Sequence, residues 1–225
     1  MKYARMELYS VYERIWHWVQ AAMILMLIWS GLCIHDPTHF GSCLFGSAVS
    51  VHNVLGFIVV ANAVFGLFYY LSTGMIQQYL PRPHGFGVLA FRQAKYYVSG
   101  IFRHEPHPLE KTPEFRLNPL QQLTYLMILN VLLPVQVITG VLMWSGQKWP
   151  ATVLAVGGVQ WLSMVHDMGA WLFAAFVVSH VYLTTTGHTP LANMKAMIVG
   201  YEEVPEDHPV YAEYQKRNAE SDVSS

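Results

Sequence analysis

The sequence predicts an all-α protein, an integral membrane bundle of four helices with a further helix lying in the membrane interface. Of its 225 residues, 53% are hydrophobic and only 12% are charged, about half the charged share of a typical soluble domain. The hydrophobic residues fall in four blocks, each close to the ~20 residues with which an α-helix crosses a bilayer. These blocks are residues 15–34, 52–72, 121–146 and 160–186, and together they predict one membrane domain over residues 1–225.

The distribution of positive charge predicts how these helices are oriented. Of the 13 Lys and Arg residues, Lys148 is the only one in the connections 35–51 and 147–159. The other twelve lie at the N-terminus, in the connection 73–120 and in the tail 187–225. Because positive charge is retained on the cytoplasmic side, both termini and the connection 73–120 are expected in the cytoplasm, with the protein in a bacterial inner membrane.

The first block is expected to stay in the mature protein. The residues ahead of it, MKYARMELYSVYERIWHW, include Glu7 and Glu13, and no small-residue cleavage site follows, which argues against a signal peptide. Cys33 and Cys43 flank the first external loop. They form a disulfide if that loop faces an oxidising compartment, or else they remain two unpaired thiols.

The long connection between the second and third blocks contains a further helical pattern. In VLAFRQAKYYVSGIF, Phe91, Val98 and Phe102 recur at helical spacing, while Arg92 and Lys95 take other faces. This pattern predicts a helix lying in the cytoplasmic interface. Within the third block, Pro134 predicts a kink that neighbouring helices in a bundle can tolerate. The polar tail is expected to lie against the cytoplasmic surface or to be disordered.

Two histidines in the fourth block, His166 and His180, are fourteen residues apart. At 1.5 Å and 100° per residue they lie about 21 Å apart on nearly the same helix face. His17 opens the first block on the cytoplasmic side, and His52 opens the second block on the external side. Equal depth in the membrane therefore pairs His17 with His180 and His52 with His166.

Two pairs of imidazoles inside a bundle suggest a bound cofactor. An ionisable residue in a spanning segment carries a free-energy cost and indicates a function, and a haem iron is commonly held by histidine within helical bundles. The sequence has no Cys-x-x-Cys-His, so a covalently attached c-type haem is excluded. A metal-ion site or a proton relay stays open as an alternative, although a relay does not need pairs of equal depth.

These motifs resemble the bacterial cytochrome b561 and Ni-hydrogenase b-type cytochrome superfamily. The resemblance covers nearly the whole chain and rests on YERIWHW, SVHNVLG, RLNPLQQLTYLMILNVLLPVQVITGVLMW and the histidine spacing of the fourth block. It implies that the four matched histidines, His17, His52, His166 and His180, bind two haem b groups through their iron. It also implies a quinone site near the cytoplasmic haem.

The resemblance places Asn118 in that quinone site, with Gln121 one turn further on. His188, just after the fourth block, is a candidate to serve a quinone proton. The segment LNPLQ has a second explanation, in which Asn118 is the N-cap of a helix and Pro119 takes its first position. Both roles stay open for Asn118.

Some residues near the expected haem planes also have two explanations. Gly31, Gly56 and Gly140 would let a porphyrin approach, or would simply allow neighbouring helices to pack closely. Arg14 and Arg116 are candidates to meet haem propionates, or are ordinary cytoplasmic anchors.

The function that follows from the resemblance is electron transfer between a periplasmic redox partner and the membrane quinone pool. The expected partner is an iron–sulfur or multihaem cytochrome c subunit of a respiratory complex. The chain has no iron–sulfur motif, nucleotide-binding glycines or hydrolytic constellation, so substrate chemistry is expected on another subunit, and nucleic acid is not an expected partner. The alternative is a stand-alone cytochrome b561 that oxidises superoxide or quinol, although the long connection and tail argue against it. A haem-free transporter or assembly factor is a third possibility.

Overall fold

The structure, a computed structural model, describes residues 3–40, 45–81, 85–103, 105, 108–109, 112, 116–187, 189–207, 210–212, 214–216 and 219. In chain order the elements used below are β1 (Tyr3–Glu7), α1 (Val11–His35), α2 (Phe45–Ser72), α3 (Phe86–Lys95), α4 (Pro119–Trp144), α5 (Pro150–Ala155), α6 (Gly158–Thr184), α7 (Ala192–Val199) and β2 (Tyr201–Pro205).

Four of these helices, α1, α2, α4 and α6, are long and apolar enough to span a membrane. This confirms the predicted multi-pass helical membrane protein. Many of their large apolar side chains are exposed, among them Phe65, Phe68 and Val178 at 65%, 71% and 71%. So much exposed apolar surface is rare on soluble monomers and suits contact with lipid.

The first helix begins earlier than its apolar block because it carries its own N-cap. The backbone N–H of Glu13 donates to Oγ of Ser10 at 3.2 Å, and the N–H of Ser10 donates to Oε2 of Glu13 at 2.8 Å. This reciprocal pair is a capping box. It places the start of α1 at Val11, four residues before the predicted block.

The helix α4 contains a π-turn just before Pro134, where the sequence predicts a kink. It runs as an α-helix over Pro119–Met127, as a π-helix over Ile128–Leu132 and again as an α-helix over Leu133–Trp144. Pro134 has no backbone N–H to donate, and π-turns are a recognised way to accommodate such a gap.

The predicted helix in the second connection is present. It runs from α3 through a π-turn, Tyr96–Gly100, into a 3₁₀ turn, Ile101–Arg103. Its apolar residues Phe91, Val98 and Phe102 are 74%, 78% and 72% exposed, whereas Gln93 is fully buried. The apolar stripe therefore faces outward, which suits a lipid boundary and leaves the interfacial position as a prediction.

The segment after α1 is held by several local interactions. Cys33 is disulfide-bonded and only 1% exposed, while Cys43 lies outside the described residues. The carboxylate of Asp36 accepts hydrogen bonds from Thr38 Oγ1 at 2.6 Å and from the backbone N–H of His39 at 3.1 Å. These hydrogen bonds hold the pKa of Asp36 well below its usual range.

The chain packs as two units, and the first comprises Met1–Arg14, Gly74–Leu126 and Val181–Ser225. In it β1 pairs with β2 in an antiparallel sheet, with Ala4 opposite Val204. Buried side chains form a small core beside the sheet, namely Met6, Leu8, Ala196 and Val204. The sequence predicts no strand, and residues 201–205 fall in the tail that it expects to lie against the cytoplasmic surface or to be disordered. Pairing with β1 shows that this segment is ordered, and the strand itself was not predicted.

The second unit comprises Ile15–Thr73 and Met127–His180. Within it, the Trp16 indole lies against the face of α2 that carries Asn62 and Gly66. Trp16 Nε1 donates to the Asn62 carbonyl at 2.8 Å, and Asn62 Nδ2 donates to Gln20 Oε1 at 2.7 Å. A Cβ placed on Gly66 would lie 2.8 Å from Cζ2 of the indole, so only glycine fits there without displacing Trp16.

We therefore expect Gly66→Ala to destabilise the protein by about 1–3 kcal/mol, the usual cost of overpacking a tight contact. The matched control is Gly46→Ala on the same helix, where a Cβ would meet no atom within 4 Å. That variant should be neutral or gain the ~0.5–1 kcal/mol that alanine offers over glycine in a helix. Thermal unfolding of the detergent-solubilised proteins measures both, and equal stabilities of the two variants would contradict the packing argument.

Candidate functional site

The second unit brings the four histidines together in two pairs. The rings of His17 on α1 and His180 on α6 have centroids 6.2 Å apart. The rings of His52 on α2 and His166 on α6 have centroids at the same separation, 6.2 Å. These are the pairs that the sequence predicts from equal depth in the membrane. His52, however, lies two turns inside α2 instead of at its start.

The separation of the rings fits a metal ion between them. An imidazole nitrogen binds a transition metal at about 2 Å and lies about 1.1 Å from its own ring centroid, so two opposed imidazoles on one ion have centroids about 6 Å apart. Among the described residues, no three His, Cys, Asp or Glu side chains converge on one point. A two-histidine site suits an iron whose other ligands come from a porphyrin.

Two hydroxyl groups contact the imidazoles of the second pair. Ser30 Oγ lies 2.9 Å from Nδ1 of His52, and Thr139 Oγ1 lies 2.9 Å from Nδ1 of His166. Because Nδ1 is engaged in both rings, Nε2 is the nitrogen left to bind a metal. In the first pair, Nδ1 of His17 is buried without a hydrogen-bond partner in the described part of the chain.

The three glycines proposed to lie near the haem planes differ in their surroundings. A Cβ on Gly31 would lie 3.5 Å from Cε1 of His52, and one on Gly140 would lie 3.3 Å from Cε1 of His166. At Gly56 a Cβ would meet nothing within 4 Å. Gly31 and Gly140 therefore border the second histidine pair, and Gly56 contacts neither pair.

Asn118 and Gln121, the candidate quinone residues, form a capping box in the first unit. The N–H of Gln121 donates to Asn118 Oδ1 at 2.9 Å, and the N–H of Asn118 donates to Gln121 Oε1 at 3.1 Å. Pro119 is the first residue of α4, so the predicted cap is confirmed. His188, the third candidate, lies outside the described residues.

The amide of Asn118 has a further partner that the sequence reading missed. Asn118 Nδ2 donates to the Tyr97 hydroxyl at 3.0 Å, and Gln93 also hydrogen-bonds this hydroxyl. Burial raises the pKa of Tyr97, and these two hydrogen bonds partly oppose the rise, so the phenol is neutral at physiological pH. Gln93 and Tyr97 are four residues apart, on the helix face opposite the apolar stripe. This spacing could have identified them from the sequence.

Arg14 and Arg116, the candidate propionate partners, are engaged within the first unit. Arg14 Nη1 donates to the carbonyl of Ile198 at 2.7 Å. Arg116 Nη1 donates to Glu13 Oε1 at 2.7 Å, and both of these side chains are more than nine-tenths buried. The described contacts therefore give the two arginines roles in holding the first unit together.

The chain is similar in sequence to known proteins. A family model described as prokaryotic cytochrome b561 matches residues 8–200. A protein of Escherichia coli strain K12 that carries the name cytochrome YdhU is 34% identical over 199 residues, which cover 86% of this chain and 73% of that protein. A protein of Azospira oryzae named as a protein-methionine-sulfoxide reductase subunit, YedZ1, is 24% identical over 189 residues, or 78% of this chain and 90% of that protein. The chain therefore belongs to the prokaryotic cytochrome b561 family of membrane haem b proteins.

Proposed function

We propose that this chain holds two haem b groups and passes electrons between a periplasmic redox partner and the membrane quinone pool. Its family transfers electrons in the membrane through haem b. The observation that carries the two-haem proposal is the presence of two facing imidazole pairs with the same 6.2 Å separation. When bound, each haem iron accepts and releases one electron.

The proposed ligands are His17 and His180 for one haem and His52 and His166 for the other. The helix α6 contributes one ligand to each pair, and fourteen residues of helix separate them by about 21 Å. That distance is most of the ~30 Å hydrocarbon thickness. Two haems at these depths would carry an electron across most of the bilayer.

The proposed orientation places both termini on the cytoplasmic side of a bacterial inner membrane. The asymmetric distribution of Lys and Arg supports it. The disulfide at Cys33 also supports it, because disulfides persist in oxidising compartments such as the periplasm. Under this orientation the His52–His166 pair is the periplasmic pair.

A separate subunit is proposed to supply the periplasmic redox chemistry. The sequence of this chain offers no iron–sulfur motif and no Cys-x-x-Cys-His, and a similar protein is named as a reductase subunit. An iron–sulfur or multihaem cytochrome c subunit would suit the external end. This supports a role as one subunit of a larger oxidoreductase.

Asn118 and Gln121 are the proposed quinone-binding residues. The capping box uses the oxygen of both side-chain amides, so the amide N–H groups remain as donors. Asn118 Nδ2 carries two hydrogens, and Tyr97 accepts one of them. The second hydrogen of Asn118 and those of Gln121 Nε2 are suited to a quinone carbonyl. His188 is proposed on its sequence position alone.

The test of this function is quinol-linked haem reduction in membranes carrying Asn118→Asp. Aspartate caps a helix as well as asparagine does, so α4 should form and both haems should bind. The carboxylate cannot donate a hydrogen bond and adds a negative charge, so we expect the rate to fall about tenfold or more, as for the loss of a hydrogen bond worth ~1.5 kcal/mol. Reduction by dithionite should be unchanged.

The matched control is Asn193→Asp, which removes an amide donor from a contact with the Thr184 carbonyl at 3.0 Å. This variant should keep the wild-type rate of quinol-linked reduction. A wild-type rate and an unchanged quinone affinity for Asn118→Asp would leave Asn118 as a helix cap only.

A further inference from the structure

Ser30 and Thr139 occupy matching positions beside the two imidazoles of one pair. Ser30 Oγ lies 2.9 Å from Nδ1 of His52, and Thr139 Oγ1 lies 2.9 Å from Nδ1 of His166. Both hydroxyl residues are almost fully buried, at 5% and 6% exposure. Each is followed by a glycine whose Cβ would face Cε1 of the same imidazole, at 3.5 Å and 3.3 Å.

The direction of these hydrogen bonds follows from the other contacts of the hydroxyls. Each hydroxyl donates to the carbonyl oxygen four residues before it, at 2.8 Å from Ser30 and 2.7 Å from Thr139. A hydroxyl has one hydrogen, so its oxygen must accept from the imidazole. His52 and His166 therefore carry their proton on Nδ1, and their Nε2 lone pairs are left for a metal.

Ordinary helix chemistry does not account for this arrangement. Serine and threonine often donate to a carbonyl one turn back, and Ser50, Thr124 and Ser145 do so here. Within the described residues, only Ser30 and Thr139 add a contact to an imidazole inside a spanning segment. Such a contact occurs on two different helices, and both contacts involve the His52–His166 pair.

We propose that Ser30 and Thr139 are positioning residues that accept a hydrogen bond from His52 and His166 and lower the midpoint potential of the haem that these two histidines would hold. The inference rests on the proposed function, in which both imidazoles bind iron. An imidazole whose Nδ1–H donates to an acceptor is a more basic ligand at Nε2. More basic ligands favour oxidised iron, so each hydroxyl lowers the potential of that haem.

When one of these hydroxyls is removed, we expect the potential of the haem to shift and the haem to stay bound. The backbone carbonyls of Leu27 and Gln136 are further acceptors within reach of His52 and His166, respectively. In a variant they remain available to the imidazole N–H, so the haem should stay bound. Ser30 and Thr139 contact His52 and His166, so the haem at the His17–His180 pair serves as an internal reference.

The experiment is a redox titration of the purified, haem-loaded protein, followed in the visible haem band, for Ser30→Ala, Thr139→Val and the double variant. We expect one of the two redox waves to move to higher potential. Each substitution should raise the ratio of reduced to oxidised haem at a fixed ambient potential by up to about tenfold, which is ~59 mV for a one-electron couple. The other wave should not move.

Conservative and matched variants separate this role from a structural one. Thr139→Ser and Ser30→Thr keep the hydroxyl and should restore the wild-type wave. Thr124→Val and Ser50→Ala remove a back-bonded hydroxyl that has no imidazole partner and should leave both waves unchanged. Two unchanged waves in the double variant, equal shifts of both waves, or loss of a haem would overturn the inference. A wild-type protein with fewer than two haems would instead overturn the two-haem function, so the two failures are distinguishable.

Discussion

Replacing His52 with alanine is expected to remove one haem from the protein and to leave the other in place. The His52 ring lies opposite that of His166 with a centroid separation of 6.2 Å, so under the proposed function its loss would remove one of the two histidines that hold that haem and would leave a cavity in its place. The pyridine haemochrome assay should fall from two haems per chain to one. A redox titration should lose one wave and keep the other at its wild-type potential.

The same assay on the other three histidines tests how the ligands are paired. His166→Ala should lose the wave that His52→Ala loses, and His17→Ala and His180→Ala should both lose the other wave. The control is His35→Ala, because this exposed histidine contacts Asp167 at 3.2 Å and takes no part in either pair. If His52→Ala and His180→Ala removed the same haem, the proposed pairing would be wrong.

The pairing of the histidines could be predicted from the sequence because their depth in the membrane depends only on helix geometry. A helix of fixed rise sets the depth of each residue once the apolar block is known. Errors in helix starts matter little for this purpose. The helix α2 begins at Phe45, seven residues before the predicted block. The prediction missed residues 45–51 because they are rich in Gly, Ser and Ala and do not stand out as apolar. His52 and His166 still come together.

The contacts around those histidines could not be predicted from the sequence, because they depend on the rotation and spacing of neighbouring helices. A serine at position 30 and a threonine at position 139 are ordinary residues in an apolar sequence. Only the packed structure shows their hydroxyls 2.9 Å from the imidazoles. The same is true of Gly66, whose importance comes from the indole of Trp16 on another helix.

The small sheet was missed for a different physical reason. The strands β1 and β2 have five residues each and are separated by most of the chain. In each strand only one residue is buried, Met6 in β1 and Val204 in β2. A single buried position gives no alternating pattern, so nothing in either segment alone predicts a strand.

Arg116→Met is expected to destabilise the first unit by about 3–5 kcal/mol, because it leaves a buried carboxylate without its counter-ion. Glu13 and Arg116 are joined at 2.7 Å with side-chain exposures of 3% and 9%, and Arg116 lies 5.1 Å above the ring of Tyr9. Burial raises the pKa of Tyr9 to about 12, so this phenol is neutral and adds no second negative charge beside Glu13. Hydrogen exchange of the Leu8 and Tyr9 amides, which donate to the Gly200 carbonyl at 2.8 Å and 2.9 Å, measures the change.

Two further variants separate the burial of the charge from the loss of a side chain. Lys195→Met breaks an ion pair with Glu203 at 3.0 Å whose side chains are about half exposed, and such pairs contribute only ~0–1 kcal/mol. Adding Glu13→Gln to Arg116→Met removes the unpaired charge, and glutamine still closes a capping box with Ser10. The double variant should therefore recover part of the lost protection from exchange. If Arg116→Met accelerated exchange no more than Lys195→Met, the prediction would be wrong. The ion pair between Glu13 and Arg116 would then not hold the start of α1 to the segment before α4.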